Sequence, residues 1–280
     1  MKICAHTLVK NEERYLWFAV TSIIDHVDKV LIWDTGSTDN TVLIIKELIK
    51  KYPKKVSFKE VGNVDINEFT KVRQEMLEET KADWVFILDG DEVWWDDSIR
   101  KVVETINKDG NELETIVNRY CNIVGDIYHY QDEAAGRYEI DGRRGHLTIR
   151  AMNCNIPGLK YLKPHGQQGV FDENGNLIQE RDKGKRYFIE RSSYLHFTHM
   201  IRSSNLSEDL KVAKRKIKIK QELGNSFPKD FYYPEAFFKP HPVIVASPWS
   251  VRSMKYKFKA SALTPLRYLK RKLIKGKSGY

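Results

Sequence analysis

The 280-residue chain has only three cysteines, Cys4, Cys121 and Cys154, odd in number and far apart. That spacing suits neither a disulfide framework nor a zinc site and predicts a reducing compartment. The longest apolar runs, such as 15–20 and 85–88, fall far short of the ~20 residues that a bilayer-crossing helix needs. The start carries one lysine and a short apolar stretch broken by His6 and Lys10, unlike a signal peptide. A cytoplasmic chain is therefore expected, at most peripheral on the inner face of a membrane. There is no internal repeat.

What is present points to a folded domain. Hydrophobic residues make up 41% and charged residues 30%, enough for a sizeable core. The net charge of +9 is uneven, with Lys and Arg crowded in 211–220 and 267–277. A basic end suits nucleic acid, an anionic membrane surface or an acidic substrate, or is a solvated helix face.

Apolar periodicity gives strands at 2–9, 29–33, 56–61 and 84–88. Between and after them run helical patterns at 12–24, 41–52, 68–80 and 98–108. Four alternations predict an α/β fold with a mostly parallel, helix-covered sheet and right-handed crossovers. Ligands of such sheets bind beyond the carboxyl ends of the strands. Three polar clusters, 7–12, 34–40 and 89–92, fall at those ends and are expected to meet there. Further strands are expected at 114–124, 146–152 and from 187. A basic helix follows at 208–223, then a Pro- and aromatic-rich linker at 227–249 and a helix at 263–274.

The most informative stretch is 84–92, where an apolar strand ends in Asp89-Gly90-Asp91-Glu92. Asp89 and Asp91 sit two apart and can leave a strand end on the same side. Gly90 between them is expected to supply unusual backbone angles. Paired hard oxygens suit a magnesium or manganese ion carrying phosphates; an acidic turn after a buried strand is the plain alternative.

Four segments in order resemble family-2 glycosyltransferases of the GT-A fold. They are Val9-Lys10-Asn11-Glu12-Glu13, Asp34-Thr35-Gly36-Ser37-Thr38-Asp39-Asn40-Thr41, the helix bearing Arg73, and Leu88-Asp89-Gly90-Asp91-Glu92. The resemblance covers about the first hundred residues and weakens afterwards. It implies a GT-A (Rossmann-like) sheet with a nucleotide-sugar half over 1–125, an acceptor half over 126–205 and a basic helical extension over 206–280. It also implies a metal-dependent, inverting transfer from a nucleotide sugar, UDP-activated by preference, to a saccharide of a surface polymer or lipid-linked carrier. By resemblance Asp91 holds Mn2+ or Mg2+, and Asp89 sits near the ribose or reaches the metal. Thr7, Val9, Glu12, Asp34, Asp39, Arg73 and Gly90 lie around the nucleotide. Asp39 reads equally well as a helix-start carboxylate.

A late histidine returns to the metal or diphosphate in several such enzymes. Of His196 and His199, which alternate poorly on a strand, His196 is favoured, with Arg202 as a phosphate partner. An inverting transfer needs a base for the acceptor proton. His165, Asp172 and Glu173 are the candidates by order, although Gly166 stands where related enzymes carry a glutamate after the histidine.

In the last segment Leu266, Leu269 and Leu273 share a face among Arg267, Lys270, Arg271, Lys272 and Lys275. Residues 263–275 therefore either lie on an anionic leaflet or pack on the domain. The rival readings are a nucleotidyltransferase, a basic nucleic-acid binder and a sugar-binding relative without turnover. The first lacks its Gly-rich basic loop after the first strand, and no nucleic-acid partner is expected.

Overall fold

A computed structural model describes residues 1–212 and 214–273. Its first half is the alternation expected. Strands β1 (Ile3–Val9), β2 (Lys29–Asp34), β3 (Val56–Glu60) and β4 (Trp84–Ile87) alternate with helices α1 (Leu16–Ile23), α2 (Thr41–Lys51) and α3 (Glu68–Glu78). The four strands pair in parallel in the order β4-β1-β2-β3. Burial is nearly complete along β1, β2 and β4, which helices cover, whereas the edge strand β3 ends in exposed Lys59 and Glu60. Helix α1 carries this furthest: all eight of its residues are buried.

A short strand β5 (Glu92–Trp94) and helix α4 (Asp96–Asp109) follow β4. Asp96 and Asp97 open α4 and Lys108 ends it, each on the favourable side of the helix dipole. Next come β6 (Thr115–Val124), β7 (Asp126–Tyr130), a hairpin of β8 (Tyr138–Ile140) and β9 (Arg143–Gly145), and β10 (Leu147–Asn153). Strand β10 inserts antiparallel between β4 and β6, so the sheet turns mixed there. A second hairpin joins β11 (Lys160–Leu162) to β12 (Gly169–Phe171). Strand β13 (Arg186–His196) then runs parallel to β6 and antiparallel to β5. That pairing brings His196 opposite Glu92, three positions beyond Asp89.

The core gathers large aromatic rings where these strands meet. Trp94 stacks on Tyr194 at 4.7 Å, and Tyr194 stacks on Tyr120 at 5.2 Å. All of Trp84, Trp94, Tyr194 and Phe86 are fully buried.

The basic stretch at 208–223 is not the continuous helix its pattern predicts. Two single turns form, α5 (Leu206–Asp209) and α6 (Arg215–Lys218), and Lys214 between them has φ +62°. Buried ion pairs override helix propensity here. Arg215 reaches Glu12 and Asp209 at 3.0 Å each and donates to the Lys10 carbonyl at 2.7 Å. Ile217 is 80% exposed.

A two-residue strand, β14 (Asn225–Ser226), pairs with β7. The aromatic linker is then part of the core, not a tether. Phe227 stacks on Phe231 at 3.8 Å, and Phe237 packs on Phe18 of α1 at 5.1 Å. The last helix, α7 (Met254–Leu273), begins nine residues before the predicted start and continues through Pro265. Leu266, Leu269 and Leu273 do not pack on the domain; they are 62%, 53% and 81% exposed. The predicted stripe's last two residues, 274 and 275, lie outside the described residues.

Truncating Phe237 opens a cavity against α1. Phe237→Ala is expected to lower stability by about 3–5 kcal/mol in urea denaturation. A loss under 1 kcal/mol would mean that the linker does not pack on α1.

Candidate active site

The carboxyl ends of β1, β2 and β4 open on a cavity of about 320 Å³. Its floor is built by two loops that lock onto each other. Asp34 accepts from the backbone N–H of Gly36 and Ser37 at 2.9 Å each and from the Ser37 hydroxyl. Gly36 has φ +87°, a conformation that favours glycine. Asn11 accepts from Thr38 N–H at 2.8 Å, and the Glu12 N–H donates to the Thr41 hydroxyl at 2.8 Å. Glu13 accepts from Asn40 N–H at 3.0 Å. Asp39 accepts from the N–H and hydroxyl of Thr41, the first residue of α2.

Three of the expected nucleotide contacts stand behind the cavity lining. The carboxylates of Asp34 and Asp39 hold the loop and the helix start, and neither lines the cavity; Thr35 does. Thr7 is fully buried within β1 and also lies behind the lining.

Val9, Glu12, Arg73, Asp89, Gly90, Asp91, His165, His196 and Arg202 all line the cavity. Gly90 does not take a left-handed conformation, so the expected backbone role does not apply. A Cβ there would stand 3.0 Å from Glu12 Cγ and 3.2 Å from Val9 Cγ1, so glycine is needed for space.

The carboxylates are gripped by guanidinium groups. Asp89 accepts from Arg73 at 3.3 Å and from Arg150 at 3.2 Å. Burial opposes its ionisation, but Arg150 and Arg73 outweigh it and hold the carboxyl at about 2. Asp91 is 1% exposed and pairs through Oδ2 with Arg202. Burial again opposes ionisation, and Arg202 and His196 overcome it, keeping Asp91 ionised far below the usual range. Glu92 is wholly buried and pairs with Arg150. Burial drives its carboxyl upward, as it does that of Glu12, which receives Arg202 at 2.9 Å.

His196 Nε2 faces Asp91 Oδ2 across 3.5 Å. Burial lowers the imidazole's pKa against the pull of Asp91, which favours the neutral form. A nitrogen and two carboxylates form a donor set that a divalent cation accepts. Among the described residues no group of three or more such side chains is placed to hold a metal ion. Magnesium-type sites need none, since one or two carboxylates and the substrate's phosphates suffice.

On the cavity's other side, Tyr138, Ile149, Met152, Tyr161, Val170 and Ile178 make an apolar and aromatic wall. The His165 ring lies 4.4 Å from that of Phe69 on α3, which also carries Arg73. Burial, then Lys218 and Arg73, lower its pKa to about 4. Asp172 and Glu173 are elsewhere. Asp172 accepts from Asn174 and Asn176 N–H at 3.0 and 2.9 Å and from Arg181 at 2.6 Å, which closes a turn. Glu173 is exposed beside Gly158, outside the lining.

Four cavity cations were not among the expected site residues: Lys10, Arg150, Arg215 and Lys218. Arg150 left a trace, a lone charge inside the apolar strand β10. Nothing in the run around 211–220 distinguished Arg215 or Lys218 from their basic neighbours.

The family model of glycosyl transferase family 2 matches residues 4–162, more than half of the chain. The chain belongs to glycosyl transferase family 2. No curated protein matches it in sequence. Among solved structures it is similar to S. aureus TarS 1–349 in complex with UDP-GlcNAc, at 12% identity and a TM-score of 0.47, covering 74% of this chain and 61% of that one. It is also similar to glucosyl-3-phosphoglycerate synthase from Mycobacterium tuberculosis with Mn2+ and UDP-glucose. That match has 14% identity and a TM-score of 0.45, covering 74% and 73% of the two chains. The chain thus spans about three fifths of the TarS 1–349 chain.

Removing Arg150 strands Glu92 in a dry site. Arg150→Met is expected to lower stability by about 3–5 kcal/mol, and Arg150→Met with Glu92→Leu to lose markedly less. Equal losses for the single and double variants would show that the pair is not coupled.

Proposed function

We propose that this chain transfers a sugar from a nucleoside diphosphate sugar, UDP-activated, to a saccharide acceptor with inversion and with a divalent metal. The observation that carries the reading is the convergence of Asp89, Asp91 and His196 with Arg73, Arg150, Arg202, Arg215 and Lys218 in one cavity. Leaving diphosphate carries more negative charge in the transition state than in the bound donor, so fixed cations aimed at it lower the barrier. Bound through Asp89, Asp91 and His196, the metal would act as a Lewis acid on the diphosphate. Arg202 and Lys218 would offer the diphosphate donors, and Arg150 holds Asp89 in place.

The apolar and aromatic wall suits the face of an acceptor sugar. Of the three candidate bases only His165 lines the cavity, and we assign it to take the acceptor's proton. With a pKa near 4 it is neutral, and hence able to accept, at all physiological pH. The family habit of cytoplasmic work on surface polymers or lipid-linked carriers suggests the acceptor class.

Two experiments test this. Thermal melts with UDP-GlcNAc or UDP-glucose and MnCl2 should show stabilisation of about 2.7 kcal/mol at a hundredfold excess over Kd. Asp91→Asn should abolish it, and a response equal to wild type would remove Asp91 from the site. For the base, His165→Ala should lower kcat about 10²–10⁴-fold with donor KM little changed. Because the neutral imidazole is the active form, wild-type kcat should stay level down to about pH 5 and fall as pH approaches about 4. A variant with wild-type kcat would exclude His165.

A further inference from the structure

We propose that helix α7 seats the protein on an anionic lipid bilayer through the face it turns away from the domain. Its two faces differ sharply. One is bolted down: Ala260 is fully buried, and the Tyr256 hydroxyl donates to the carbonyls of Lys220 and Glu222, 3.1 Å from each. Thr264 accepts from Leu223 N–H at 2.9 Å, and Arg271 forks onto Glu222 with two bonds of 2.7 Å. Residues 256, 260, 264, 267 and 271 follow one side of a helix.

The opposite side is apolar and bare. Met254, Phe258, Leu266, Leu269 and Leu273 are 64%, 74%, 62%, 53% and 81% exposed. With exposed Ala262 and Pro265 they make an apolar stripe at helical spacing along the 20-residue helix, with exposed Lys255 on it at the start. Exposed Lys257, Lys259 and Lys270 flank it. No aspartate or glutamate follows Glu235 anywhere in the sequence, so nothing acidic offsets these lysines on the helix itself.

Charge complementarity selects the occupant. A second copy would press lysines against lysines, which is unfavourable without intervening anions. An anionic bilayer answers both features at once, since the stripe enters the acyl boundary and the lysines meet headgroup phosphates. The helix lies in the surface and does not span it; no helix among the described residues is long and apolar enough to cross a membrane. Because α7 is pinned at Tyr256, Thr264 and Arg271, the seated helix holds the whole domain at the interface. Through Glu222 it also joins the segment that carries Arg215 and Lys218 into the cavity.

The inference goes beyond the catalytic reading, and its readout needs no activity. The full 280-residue chain is floated with vesicles of phosphatidylcholine alone or of about three parts phosphatidylcholine to one of phosphatidylglycerol. Binding is expected only to the anionic vesicles and should fall at least about tenfold at high salt. The double substitution Leu266→Asp and Leu269→Asp should also lower it at least about tenfold, with an unchanged melting temperature because both positions are exposed. Retained binding by that variant, or equal recovery with neutral and anionic vesicles, overturns the proposal. So does stripe-dependent dimerisation in light scattering without vesicle binding, which would make a second copy the occupant.

Discussion

Guanidinium–carboxylate pairing at the cavity floor is the constraint on which the site depends. Arg150 bridges Asp89 and Glu92, Arg202 bridges Asp91 and Glu12, and Arg215 reaches Glu12 from below. Burial raises the carboxyls of Glu92 and Glu12, whereas Asp89 and Asp91 stay ionised only because guanidinium groups match them. Matching has a geometric price: five elements must close on one point. The loops after β1 and β4, strands β5 and β10, and the chain from Arg202 to Arg215 deliver the members.

The same pairing reconciles two roles for Asp89 and Asp91. Their carboxyls stay ionised despite burial because arginines surround them. Those arginines are also the groups best suited to a diphosphate, since a planar fork meets phosphate oxygens two at a time. The site is therefore preorganised in charge before any ligand enters.

Conspicuous sequence motifs also carry structural work. Asp34 through Thr41 reads as a nucleotide loop, yet most of its polar side chains are consumed by hydrogen bonds to their own loop and to Asn11, Glu12 and Glu13. Loop-to-loop locking of this kind fixes where backbone and Thr35 stand at the rim. Gly90 is a parallel case, required for the space beside Glu12 and not for its backbone angles.

Local pattern was enough for the alternation of strands and helices through residue 109, because period-two and period-3.6 apolar spacing reflects burial directly. It also marked the acidic strand end at Asp89 and Asp91, since topology puts strand ends where ligands bind. Long-range pairing decided the rest. Arg150 and His196 come within reach of Asp89 and Asp91 only because β10 inserts beside β4 and β13 crosses to β5. The basic run near 215 broke into single turns for the same reason: a buried carboxylate 203 positions earlier outweighed the helix that its own residues favour.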